Sequence, residues 1–166
     1  MRKREVRDKY LIRHRLDAEP ETRDRMLQNI RFSADAALWA RLKSELPDSM
    51  GEAVQAILDA KGISQEELAM RLGCSRAAWR KWCAKPRISL RHVVAMCIAL
   101  DLRADLGIEL VRLSGLRFMN RKEDHLLLAM IYETRELTVA RANEIMRQEA
   151  LPPLTEGQDE ELSECY

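Results

Sequence analysis

Apolar residues along this chain recur three and four positions apart and almost never alternate, a spacing that predicts amphipathic helices and no strands. In the first fifty residues it predicts a charged helix over 3–16, a break at "DAEPE", a helix over 21–31 and another over 35–46. Ser33 caps the last of these, Leu38, Trp39, Leu42 and Leu46 form its packing face, and Pro47 ends it.

The pattern then tightens. A helix is predicted over 50–61, with Ala53, Val54, Ile57 and Leu58 on its apolar face and Gly62 as its left-handed stop. Ser64 followed by Glu67 is a capping-box spacing, so a second helix opens there, buries Leu68, Ala69 and Leu72, and stops at Gly73. Ser75 caps a third helix through 84, Ser89 opens a fourth and "RADLGIELVRL" forms a fifth. After Gly115, helices over 121–134 and 138–150 are expected to pair as a hairpin, and the proline- and acid-rich end from 152 to 166 is expected to be a frayed tail. The fold class is all-α: a five-helix bundle over 50–116, a helical extension over 1–49, a C-terminal helical hairpin over 117–151 and the tail.

Composition adds little to this until charge is followed along the chain. With 166 residues, 46% hydrophobic and 33% charged, the chain has the make-up of a globular protein. Its apolar runs are too short to span a bilayer and its basic start lacks the apolar core of a signal peptide, so no membrane contact and a cytoplasmic location are expected. Cys74, Cys83, Cys97 and Cys165 have no CxxC spacing and His14, His92 and His125 are scattered. Neither a disulfide, a metal site nor a cofactor is expected from them.

The net charge is only +1, but it is unevenly spread. Residues 117–166 carry 11 acidic against 6 basic residues, whereas positions 71–91 hold Arg71, Arg76, Arg80, Lys81, Lys85, Arg87 and Arg91 with no acid among them. Two short helices joined by a glycine turn let the first buttress the second, whose far face then protrudes. With Trp79, Trp82 and Cys83 turned inward, Arg76, Ala77, Arg80, Lys81 and Ala84 point out, a cationic face suited to a polyanion.

Residues 51–110 resemble the helix-turn-helix domain of the Xre and phage-repressor family. The resemblance rests on "GISQEELAMRLGCSRAAW", with Gln65 opening the second helix, Gly73 at the turn and Ser75 starting the recognition helix, and on "ISLRHVVAMCIALDL", similar to the family's fourth helix. It implies that Arg76, Ala77, Arg80 and Lys81 face base edges in the major groove, and that Gln65, Ser75, Lys85, Arg87 and Arg91 contact phosphates. Two positions depart from the family. Leu58 and Cys83 stand where many relatives keep a buried arginine–glutamate pair, and are expected to touch; Lys85 replaces the glycine after the recognition helix.

The implied function is a non-enzymatic, sequence-specific transcriptional regulator that binds double-stranded DNA as a homodimer. Dimer contacts are expected within 1–49 or 117–151. The alternative is an antitoxin or other protein-interaction module on the same fold, with a protein partner in place of DNA. No nucleophile–base pair or phosphate-binding glycine loop suggests an enzyme.

Overall fold

A computed structural model of the chain describes residues 36–156, and the helices expected over 3–16 and 21–31 lie outside them. Residues 36–45 are helical. Two compact units divide the chain after Arg41, and everything below concerns the second.

Its elements are α1 (Met50–Lys61), α2 (Gln65–Leu72), α3 (Arg76–Ala84), α4 (Leu90–Ala99), α5 (Ala104–Leu113), α6 (Lys122–Tyr132), a 3-10 turn (Thr134–Glu136) and α7 (Val139–Gln148). All the described secondary structure is helical. Side-chain caps fix most of the starts: Ser49, Ser64, Ser75, Ser89 and Thr138 each accept from the backbone N–H three residues on. Glu67 does not close the capping box at Ser64, because its carboxylate turns along the helix to Arg71 at 2.5 Å. Gly62 and Gly73 end α1 and α2 at φ 65° and 70°, backbone that L side chains rarely adopt.

The core is built around α4. Val93 through Leu100 are buried without interruption, so this helix is apolar all round and needs neighbours on every side. It has them in α2, α5, α6, the 3-10 turn and α7. The carbonyls at its C-terminal end are met by side chains from elsewhere. Arg71 donates to Ala99 O at 3.0 Å, Lys61 to Leu100 O and Asp101 O, and Thr134 Oγ1 to Leu102 O at 2.6 Å.

This arrangement places the C-terminal helices and corrects the expected start of the tail. The hairpin is not a separate appendage: α6 and α7 each pack on α4, and α6 also on α5, so Leu127, Met130, Ile131, Val139, Ala142 and Met146 belong to the main core. Contact between α5 and α6 is close enough that a Cβ on Gly107 would sit 3.0 Å from Ile131 Cγ2 and 3.4 Å from Cys97 Sγ. Nor does the tail begin at 152. Leu154 and Thr155 are buried, at 1% and 5% exposure, because Asn143 of α7 holds their backbone.

Candidate nucleic-acid interface

The α2–turn–α3 unit presents α3 to solvent. α2 ends in a double turn, with Gly73 N donating to Met70 O and Cys74 N to Ala69 O, and the chain then turns into Ser75, whose hydroxyl oxygen accepts from Ala78 N at 3.1 Å. α3 packs on α1 and α2. Ala78 and Trp79 are its buried residues, while Arg76, Ala77, Arg80, Lys81 and Ala84 are exposed, as the helical spacing requires. Trp82 and Cys83 are only half-buried, so the inward face centres one residue earlier than the sequence suggests.

Each half-buried residue anchors the C-terminal half of α3. The Trp82 ring stacks on His92 of α4, with centroids 3.9 Å apart and planes 7° from parallel. Burial, followed by the charges of Lys85 and Arg91, pushes the His92 imidazole down to about 4. Cys83 lies 3.9 Å from Met96 Sδ and approaches α1 at Gly51, two turns N-terminal to Leu58. Burial pushes its thiol up to about 11. At Lys85 the helix ends with an extended backbone, φ −66° and ψ 143°, which Pro86 imposes on the residue before it. That exit leaves Lys85, Pro86 and Arg87 exposed at the edge of the α3 face.

The acid-free run of the sequence does not survive folding intact. Arg71 pairs with Glu67 at 2.5 Å, Arg76 with Glu66 at 2.6 Å and Arg91 with Glu123 at 3.4 Å, the acids coming from α2 and α6. Glu66 has a lowered pKa, held down by a backbone hydrogen bond and then by Arg76. Among the described residues Arg80, Lys81, Lys85 and Arg87 have no carboxylate partner. These four, on the outer face and exit of α3, form the cationic centre of the surface.

Gln65 and Ser75 are both engaged within the protein. Gln65 Nε2 donates to Gln55 Oε1 at 2.6 Å, and Gln55 Nε2 donates in turn to Asp59 Oδ1 at 2.8 Å. That relay fixes the Gln65 side chain at the mouth of a cleft of about 400 Å3 between α1 and α3, whose lining includes Gly51, Gln55, Trp79, Arg80 and Cys83. Ser75 spends its hydroxyl oxygen on the cap of α3. Glu66, Glu123 and Gln55 went unnoticed in the sequence because each comes to the site from another element.

No group of three or more His, Cys, Asp or Glu that could hold a metal ion lies among the described residues. None of the described helices is long and apolar enough to cross a membrane. A family model of the Cro/C1-type helix-turn-helix DNA-binding domain matches residues 54–106, a span running from α1 to the start of α5. No curated protein and no solved structure matches the chain. The resemblance carried by the Gln65–Gly73–Ser75 turn therefore holds, and residues 54–106 are similar to a helix-turn-helix DNA-binding domain of the Cro/C1 type.

Proposed function

We propose that the chain is a sequence-specific, non-enzymatic transcriptional regulator that lays α3 in the major groove of duplex DNA. One observation carries this reading: a protruding helix whose outer cations Arg80 and Lys81, with Lys85 and Arg87 beyond them, have no carboxylate partner among the described residues. Arginine and lysine match the O6 and N7 acceptors of guanine, and the methyl of Ala77 suits that of thymine.

Arg80, Lys81 and Ala77 are assigned to base edges, and Lys85 and Arg87 to the phosphates on one side of the groove. Gln65 and Ser75, beside the cleft and at the start of α3, are assigned to phosphates on the other side. Arg91 joins them by exchanging the half-buried Glu123, 3.4 Å away, for a phosphate, whereas Arg76 stays tied to Glu66. A single α3 reads few base pairs, so binding as a homodimer to two half-sites about one helical turn apart is part of the proposal.

The test is selection of bound sequences from a random duplex library, followed by a salt titration on the winner. A common motif bound with steeply salt-dependent affinity supports the reading. No enrichment, or affinity that stays flat between low and physiological salt, overturns it.

A further inference from the structure

A side-chain hydrogen bond from far along the sequence ends on the helix-turn-helix. Thr155 Oγ1 donates to Leu72 O at 3.1 Å, across 83 residues of chain. Leu72 is the last residue of α2, and its carbonyl is one of those that a helix end leaves without an internal partner. The turn itself satisfies the carbonyls of Ala69 and Met70 through Cys74 N and Gly73 N, so Leu72 O is met from the far end of the sequence.

Thr155 is held for this purpose from behind. Asn143 of α7 spends both ends of its amide on the segment over 151–156: Oδ1 accepts from Leu154 N at 2.8 Å, and Nδ2 donates to Thr155 O at 3.4 Å and to Thr155 Oγ1 at 3.3 Å. The hydroxyl thus accepts from Asn143 and passes its own proton to Leu72 O, with all three groups buried. Asn143 is 9% and Thr155 5% exposed, so water offers no ready substitute for either bond.

What the bond fixes follows from backbone geometry. The direction of the Leu72 carbonyl is set by the peptide plane between Leu72 and Gly73, and the torsions on either side of that plane set the angle between α2 and α3. Gly73, at φ 70°, is the residue with most freedom there. Pinning Leu72 O removes that freedom.

We propose that the segment over 151–156 is a strap whose Thr155 positions the recognition helix by fixing the Leu72–Gly73 peptide plane, with Asn143 relaying the state of α7 to the turn. The strap touches no DNA. It acts on how sharply α3 discriminates one duplex from another, and in that respect it rests on the DNA-binding reading above.

The experiment uses the full chain with Thr155→Val, which keeps the shape and loses the hydroxyl as both donor to Leu72 and acceptor from Asn143, and Thr155→Ser, which keeps both. Backbone amide exchange at Gly73 and Cys74 is measured, together with affinity for the library-selected duplex and for a random duplex. In Thr155→Val the two amides should exchange about tenfold faster, the loss expected of the one buried neutral hydrogen bond to Leu72 O. Affinity for the selected duplex should fall several-fold, affinity for the random duplex should hold, and Thr155→Ser should restore both readouts. Unchanged exchange in Thr155→Val, equal loss on both duplexes, or a serine variant no better than valine overturns the proposal. If the unaltered protein binds no duplex, the DNA reading falls, and the amide exchange alone decides for or against the strap.

Discussion

Arg76 Nη1 sits 2.6 Å from Glu66 Oε1, so a cation at the first position of α3 is tied to an acid on the helix before it. Both side chains are more than half exposed, at 54% and 67%. Such a pair contributes little to stability, but it subtracts a charge from the exposed cationic face of α3.

Glu66→Gln should therefore leave the melting temperature unchanged and tighten duplex binding. With Arg76 released to a phosphate, the slope of log K against log salt should steepen by about 0.9, the value for one more neutralised phosphate. A variant with the slope of the unaltered protein would show that Arg76 already leaves Glu66 when DNA binds.

A second expectation concerns pH. The His92 ring that stacks on Trp82 is pushed down to about 4, by burial first and by Lys85 and Arg91 after it. An unfolded histidine takes up its proton near its ordinary 6.5, so as pH falls below that value the unfolded state binds the proton first. The stabilisation is complete above 6.5 and is lost as pH falls toward 4. For a ring this accessible to solvent, screening leaves about 1–2 kcal/mol of it. His92→Phe keeps the stack on Trp82 and cannot titrate. Chemical denaturation at pH 7.0 and 4.5 should show a smaller loss for that variant than for the unaltered protein, and equal losses would sink the argument.

The helix starts were readable in the sequence because each is set locally. Ser64, Ser75, Ser89 and Thr138 cap within three residues, and Gly62 and Gly73 stop their helices through their own torsions. Exposure of Arg76, Ala77, Arg80 and Lys81 was readable for the same reason, since it needs only the helical period and one buried tryptophan. What failed depends on elements far apart in sequence. Glu66 and Glu123 fall outside 71–91 yet neutralise two of its cations, so an acid-free segment is not an acid-free surface. The end of the chain reads as tail by composition, but Thr155 is placed by Asn143 and Leu72, neither of which marks it locally. Periodicity shows that α6 and α7 each carry an apolar face but not which helix covers it, so their packing on α4 was not readable.

That last difference has a measurable consequence for where the domain ends. The family match stops at 106, yet α4 is buried on every side only when α6 and α7 are present. A protein ending at Leu116 lacks Leu127, Met130, Ile131, Val139, Ala142 and Met146, all at most 4% exposed in the full fold. At about 1.5–3 kcal/mol for each large side chain, the loss is comparable to the whole stability of a small domain. Residues 42–116 should show no cooperative thermal transition and residues 42–156 should show one. A sharp transition in the shorter protein would make the C-terminal helices an appendage after all.

The assignment of bases and phosphates predicts two kinds of loss within one surface. Arg80 and Lys81 lie on the outward face of α3 itself, where a helix in the major groove meets base edges, whereas Arg87 lies beyond Pro86 at the edge of that face. A base contact is worth about 1–3 kcal/mol of discrimination, so Arg80→Ala or Lys81→Ala should cut affinity for the selected duplex by about tenfold or more and change random-duplex affinity far less. Removing a phosphate contact acts on every sequence alike, so Arg87→Ala should weaken both duplexes by one common factor and flatten the salt slope by about 0.9. All three side chains are exposed, so their melting temperatures should stay together and folding should not confound the comparison. Titrations of the three variants against both duplexes at two salt concentrations separate the roles. Three identical losses on selected and random DNA would show that α3 rests on the phosphates rather than in the groove.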